Sequence, residues 1–406
     1  MKRFLSFVLI LSLAVLPLAP AGAAFTPEEK QALDATLDGD FKKYSAMGAC
    51  VILFENGEVS YIYTTGVQRL GGDPITPQCG FRVGSISKMV SCIGLMKLVE
   101  EGKCSLDDDL SDLLGFPVRN PAYPETPITL RQLLTHTAGF GDPFLYTKAT
   151  RNEAVPLPRV FSDSQIENAF LPGARPGHIS EYSNFGGGIL GVIIERLSGE
   201  DLDTYMQRIL FEPLGIDAAY QTGLMPENVP LCNIYHMPGK TLGRELSHDE
   251  PVDTTTDPYL HYNRTAGSLT ITPEGLAKIM IMLCEGGVYG DVRILKASSV
   301  AEMCTLQNYR GTVQCDSGRG LFMNIITDYQ VEGRTLYGHG GKAYGMLCAA
   351  YFDPTDRTGV IMLTNGCNIN SMYHGVGMAG RVVLTHVYEA LEGSGYEVVS
   401  PYTIVE

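Results

Sequence analysis

Ser85 and Lys88 stand three residues apart in Phe81-Arg82-Val83-Gly84-Ser85-Ile86-Ser87-Lys88. On a helix that spacing puts two side chains one turn apart on the same face. A serine hydroxyl is a poor nucleophile until a neighbouring base takes its proton. A lysine is a candidate base when burial keeps it neutral. The next stretch supplies burial: Met89, Val90, Cys92, Ile93, Leu95, Met96, Leu98 and Val99 leave almost no polar face, which predicts a buried helix ending near Gly102. Ser85 then sits at the helix N-terminus, where unpaired N–H groups and the positive end of the dipole favour a developing negative charge. Taken alone, the spacing arises by chance in a chain of this length. A helix-capping serine beside a surface lysine satisfies it equally well, so the partners must come from elsewhere.

Two other stretches offer them. Tyr182-Ser183-Asn184 follows a Pro- and Gly-rich loop at 171–177. In extended chain, residues two apart point the same way, so Tyr182 and Asn184 can face one cleft. A phenol beside a lysine ammonium loses its proton more readily. It can then serve as base towards Ser85 and as acid towards the leaving group. Asn184 carries a donor and an acceptor for orienting substrate; the plain alternative is a cap for the helix that follows. The third stretch is Tyr337-Gly338-His339-Gly340-Gly341-Lys342. Its glycines let a substrate lie against a strand edge. The backbone N–H of Lys342 can pair with that of Ser85 as an oxyanion hole, unless the segment is only a glycine turn. His136, after Leu133-Leu134-Thr135, reads as a structural residue beside the turn Thr137-Ala138-Gly139 rather than as a base.

The elements that must position these groups follow from pattern. A helix is predicted within 26–47, opened by Thr26-Pro27-Glu28-Glu29. Ala49 to Phe54 and Val59 to Thr65 form a hairpin around Asn56-Gly57. From about Cys104 to Gly290 the signals are helical and loop-rich. Thr335 to Gly338, Met346 to Phe352 and Val360 to Thr364 read as strands, punctuated by Gly340-Gly341 and by Asp353-Pro354-Thr355-Asp356, with a closing helix at 370–392. The expected fold class is α/β (α+β): an antiparallel sheet flanked by helices and built from both chain ends, 25–80 and 291–406, with a mainly helical lobe inserted at about 81–290.

Composition narrows the partners. The chain has 406 residues, 45% hydrophobic and 18% charged, and a formal net charge of −15. That charge argues against nucleic acid or an anionic membrane as partner. Residues 1–24 read as a signal peptide, with basic Lys2-Arg3, an apolar run Phe4 to Leu16 and the small-residue site Ala21-Gly22-Ala23. A single N-terminal anchor is the alternative. The expectation is a secreted or periplasmic mature chain, 25–406, without a membrane span. Ten cysteines are irregularly spaced with no C-x-x-C, so mostly buried free thiols are expected. Eight scattered histidines without H-E-x-x-H give no reason to expect a metal, and the chemistry above needs no cofactor.

On these motifs the chain resembles the serine β-lactamase-like superfamily: class C β-lactamases, penicillin-binding D-Ala-D-Ala carboxypeptidases, D-aminopeptidases and related esterases. The likeness covers nearly the whole mature chain. It is carried by Phe81 to Lys88, Leu133 to Gly139, Tyr182-Ser183-Asn184, Pro213-Leu214-Gly215, Gly338-His339-Gly340-Gly341 and Thr364-Asn365-Gly366. S-x-x-K with serine as nucleophile is the signature of that group. The resemblance implies a β-lactamase/transpeptidase-like fold and an acyl-enzyme on Ser85. It implies Ser85, Lys88 and Tyr182 as catalytic residues, with Asn184, His339, Gly340, Gly341 and Lys342 binding substrate. One departure bears on substrate. The group usually carries Lys-Thr-Gly or Lys-Ser-Gly in its third motif, and that lysine helps hold a substrate carboxylate; here the position is His339-Gly340-Gly341. The His-x-Gly pattern resembles the esterase and D-peptidase branches. The expected function is therefore an exported serine hydrolase acting on an ester or amide, D-amino-acid peptides included, with a small molecule or short peptide as substrate. A class C-type β-lactamase and a non-catalytic penicillin-binding or sensor protein are the alternatives. Acyl transfer to an acceptor other than water uses the same intermediate.

Overall fold

Alternation along one strand explains why the molecule has two apolar layers. Gly48–Glu55 (β1) is buried along its whole length. Cys50, Ile52 and Phe54 enter one core, while Ala49, Val51 and Leu53 enter a second on the opposite face. This is the period of two that a strand covered on both faces must show. The protein is described by a computed structural model over residues 25–149, 154–237, 242–248, 250–307, 318–327, 331, 333–368, 372–373 and 376–394. The expected leader, 1–24, lies outside the described residues.

β1 is an interior strand, one from the edge, of a seven-stranded sheet. Its other strands are Glu58–Gly66 (β2), Gly318–Arg319 (β3), Asn324–Thr327 (β4), Thr335–Ala343 (β5), Met346–Asp353 (β6) and Thr358–Gly366 (β7). The spatial order is β3-β4-β5-β6-β7-β1-β2, antiparallel throughout. The mixed fold of an antiparallel sheet flanked by helices, drawing strands from both ends of the chain, is the one expected. Pro27–Lys43 (α1) opens with a capping box between Thr26 and Glu29. It shares a core with Met378–Gly393 (α7) through Leu33, Leu37, Phe41, Val383, Leu384 and Val387. The opposite face is covered by Ile86–Glu100 (α2) and Pro273–Cys284 (α6). Between β2 and β3 the described residues are mostly helices and loops. They include Leu130–Leu134 (α3), Asn184–Ser198 (α4) and Arg264–Gly267 (α5). Among the described residues no helix is long and apolar enough to cross a membrane, and the nine described cysteines are free and buried.

One expectation needs revision. The glycines at 340 and 341 do not end a strand: β5 runs through them to Ala343 and pairs with β6 from Tyr337 to Ala343. The reason is a close approach. A Cβ at Gly341 would lie 2.0 Å from the Val83 carbonyl oxygen, so the glycine lets the loop before Ser85 press against the strand.

Candidate active site

α2 starts where the sequence places it. Twelve of its fifteen residues are buried, Lys88 among them, and Gly102 follows its end in the left-handed region at φ 70°, closing the helix with an N–H bond to the Val99 carbonyl. Ser85 occupies the N-cap position, yet its side chain makes no capping hydrogen bond. The capping-serine alternative therefore fails, and the hydroxyl is free for other work. Its loop is pinned by Ser87, whose Oγ donates to the Gly84 carbonyl at 2.6 Å and accepts the Leu269 N–H at 3.0 Å. Gly84 has φ 54°, and a Cβ there would lie 3.1 Å from the Lys342 nitrogen. Glycine thus sets the N-terminus of α2 directly against β5, which brings the Ser85 and Lys342 amides to one place.

The surface-lysine alternative fails as well. Lys88 is fully buried. Its Nζ lies 3.2 Å from Ser85 Oγ, 3.0 Å from Asn184 Oδ1 and 2.5 Å from the Ala266 carbonyl oxygen. Three acceptors around one amine explain how a polar group survives in that core. α4 makes room for it: a Cβ at Gly187 would meet Lys88 Cε at 2.2 Å. Gly187→Ala forces the amine off its aim. Helix propensity favours alanine by about 1 kcal/mol, while overpacking costs about 1–3 kcal/mol, so the melting point should move by only a few degrees. Positioning is less forgiving: labelling of Ser85 by a fluorophosphonate probe should slow roughly 10²-fold. An unchanged labelling rate would show that Lys88 has no role in activating the serine.

Tyr182 completes the group. Its hydroxyl lies 2.7 Å from Ser85 Oγ and its ring 4.9 Å from Lys88 Nζ. The helix behind it begins one residue earlier than the capping alternative for Asn184 supposes. Ser183 is the N-cap, accepting the Gly186 N–H at 2.9 Å, and Asn184 is the first helical residue, free to reach Lys88. His136, with φ 57°, accepts the Ser183 N–H at Nδ1 (3.3 Å) and packs its ring 4.5 Å from that of Tyr182. It touches neither Ser85 nor Lys88 in any hydrogen bond among those described, which fits the structural reading.

A cleft of about 300 Å³ opens in front of Ser85. Asn184 and Lys342 line it as expected, and so do Arg82, Tyr146 and Tyr344, which the sequence reading did not single out as binding residues. His339, Gly340 and Gly341, expected to bind substrate, do not line it. The His339 imidazole is buried behind Tyr182, 6.4 Å between ring centroids, with Nδ1 2.6 Å from the Gly340 carbonyl oxygen. What this segment brings to the cleft is strand geometry and the Lys342 amide. Burial, reinforced by the positive charges of Lys88 and Arg319, pushes the His339 imidazole down to about 3. Burial does the same to His136, held well below its ordinary value. Both rings are neutral in the folded protein, whereas the unfolded chain protonates them near pH 6.5. For His339 the stability is whole above that pH and is lost as pH falls towards about 3; His136 acts in the same direction. Across that window the His339 ring makes unfolding easier by about 1.4 kcal/mol for each unit the pH falls. Urea unfolding at pH 7 and pH 5 should show a smaller loss for His339→Gln than for the unmodified chain; an equal loss would mean that His339 titrates normally in the fold.

Among the described residues one cluster of possible metal ligands occurs: Glu195, Asp201 and His261. The Arg264 guanidinium already bridges it, with Nη1 2.6 Å from Asp201 Oδ2 and 3.4 Å from Glu195 Oε1. It reads as an ion network.

Comparison with known proteins shows what the chain is similar to. The model of the Beta-lactamase family matches residues 33–373. A protein named penicillin-binding protein 4 from Amycolatopsis lactamdurans is 27% identical over 335 residues, covering 79% of this chain and 81% of its own. Esterase EstB from Burkholderia gladioli is 28% identical over 194 residues, covering 45% of this chain and 49% of its own, about half its length. Among solved structures, the D-amino acid amidase from Ochrobactrum anthropi SV3 complexed with D-phenylalanine superposes with a TM-score of 0.70 at 21% identity, covering 90% of this chain and 99% of its own.

Proposed function

The chain belongs to the Beta-lactamase family, and from that premise we propose that it is a serine hydrolase that cleaves an ester or amide through an acyl-enzyme on Ser85. The observation that carries this reading is the convergence of Tyr182 OH and Lys88 Nζ, 2.7 and 3.2 Å away, on one serine oxygen at a helix N-terminus. As the Oγ–carbon bond forms, the hydroxyl proton passes to the Tyr182–Lys88 pair. The carbonyl oxygen becomes an oxyanion held by the N–H groups of Ser85 and Lys342. The same pair returns the proton to the leaving oxygen or nitrogen, and the bond to the leaving group breaks. Water then attacks the acyl carbon, gives its proton to the pair, and releases the acid with Ser85 restored. Asn184 orients the substrate from the cleft wall.

The third motif bears on substrate. A neutral, buried imidazole stands at position 339, so no cation is supplied there for a carboxylate. This favours uncharged esters and amides, with D-amino-acid amides and short D-peptides in range, over the anionic ring systems that a class C-type β-lactamase turns over. The names of the esterase and the D-amino acid amidase support the same direction. Residues 1–24 would direct the protein out of the cytoplasm. The test is intact-mass spectrometry after mixing the protein with p-nitrophenyl esters, D-phenylalanine amide and a chromogenic cephalosporin. We expect a transient acyl adduct on Ser85 with the esters or the amide and slow turnover of the cephalosporin. Rapid cephalosporin turnover would move the reading to a β-lactamase. Absence of any adduct, with a fluorophosphonate probe also failing, would move it to a non-catalytic binding protein.

A further inference from the structure

We infer that Asp142, between α3 and the short helix Phe144–Ala149, is a positioning residue that acts through the Asn184 side-chain amide to aim Lys88 at Ser85; the inference rests on the hydrolase reading above. The two ends of an asparagine amide have nearly the same shape, and only their partners decide which end points where. Asn184 stands between two groups of opposite demand. Lys88 Nζ, 3.0 Å from Oδ1, is a donor. Asp142 Oδ2, 3.1 Å from Nδ2, is an ionised oxygen that only accepts. Asp142 therefore selects the orientation that turns the amide oxygen towards Lys88. The reverse orientation would set N–H against N–H at the amine and leave the lysine with two acceptors, Ser85 Oγ and the Ala266 carbonyl oxygen.

The carboxylate is itself held. Oδ1 accepts the Phe185 N–H at 2.9 Å and the Ser183 hydroxyl at 3.1 Å, the latter shared with the Gly141 carbonyl oxygen at 2.9 Å. One oxygen is thus fixed to the first turn of α4 and the other faces the amide, so the carboxylate plane cannot rotate without losing a partner. A simpler role must be weighed against this: a carboxylate at a helix N-terminus satisfies orphan N–H groups and meets the positive end of the dipole, and that alone stabilises α4. The two roles use different oxygens, which makes them separable.

Asp142→Asn keeps an oxygen for Phe185 and Ser183 but places an NH2 opposite the NH2 of Asn184. Asp142→Ala removes both oxygens and adds no opposing donor. If Asp142 aims the lysine, Asp142→Asn is the more damaging change for chemistry and Asp142→Ala the more damaging one for thermal stability. If it only caps α4, Asp142→Ala is worse on both counts. The measurement is the second-order rate of Ser85 labelling by a small neutral fluorophosphonate from pH 5 to pH 9, with thermal unfolding of the same preparations and Ser85→Ala as control. We expect labelling about 10²-fold slower for Asp142→Asn and about 10-fold slower for Asp142→Ala. We also expect the acidic limb of the pH–rate profile to move in Asp142→Asn, which a cap has no means of doing. Labelling of Asp142→Asn at the wild-type rate with an unmoved profile would overturn the inference and leave the hydrolase reading standing. Failure of the unmodified chain to label at Ser85 would overturn both.

Discussion

Ser85→Ala should remove essentially all turnover, a loss on the order of 10⁴-fold or more, because groups acting as a unit on one covalent intermediate lose function together. The substitution is structurally mild. Ser85 is the N-cap of α2, but its hydroxyl makes no capping bond, so the usual cost of about 0.5–2 kcal/mol for deleting a cap does not arise. Of the two groups that meet the oxygen, Tyr182 OH and Lys88 Nζ, the buried amine retains Asn184 Oδ1 and the Ala266 carbonyl. Steady-state hydrolysis of the best ester or amide found, together with the melting temperature, decides the matter. Full folding with no turnover and no acyl adduct is the expected outcome. Undiminished hydrolysis would place the nucleophile elsewhere and end the assignment.

Lys88→Met should be nearly as severe, on the order of 10³-fold or more. Methionine keeps a straight chain of similar length in the slot beside Gly187, so little packing is lost. The deletion strands the Ala266 carbonyl oxygen, which accepts from Nζ at 2.5 Å. An unpaired buried acceptor costs about 1–3 kcal/mol, set against relief from burying an amine in a core. Stability should therefore change far less than rate. The variant differs from Ser85→Ala in a useful way. The serine is still present, so concentrated fluorophosphonate should label it slowly, and only the rate of that labelling reports the amine. Turnover within tenfold of the unmodified chain would mean that Tyr182 alone manages the proton.

Some parts of the fold were legible because their signals are local. The buried face of α2, the capping sequence at Thr26 and Glu29, and the Asn56-Gly57 hairpin each declare themselves within a few residues. β3 and β4 were not read, because strands of two and four residues are too short to show a period of two. β5 was read as stopping at its glycines, since glycine weakens a strand by propensity; pairing with β6 overrides that preference. At the site, type and spacing single out Ser85, Lys88, Tyr182 and Asn184, and the fold brings their side chains within hydrogen-bond reach of one another. Asp142 was missed: a single aspartate before a proline looks like turn chemistry, and nothing in its own neighbourhood points to an asparagine 42 residues away.

From its residues alone, this chain offers candidate reacting groups: a hydroxyl, an amine and a phenol in motifs whose local setting already implies a buried helix and a helix N-terminus. Tertiary structure alone decided what surrounds them. The Ala266 carbonyl that holds Lys88, the room left by Gly187, the burial of His339 behind Tyr182 and the carboxylate of Asp142 all come from long-range packing. The physical reason is that reactivity belongs to the side chain, whereas aim and protonation state belong to whatever the fold presses against it. A backbone oxygen or an absent Cβ has no letter of its own that would mark it as part of a site.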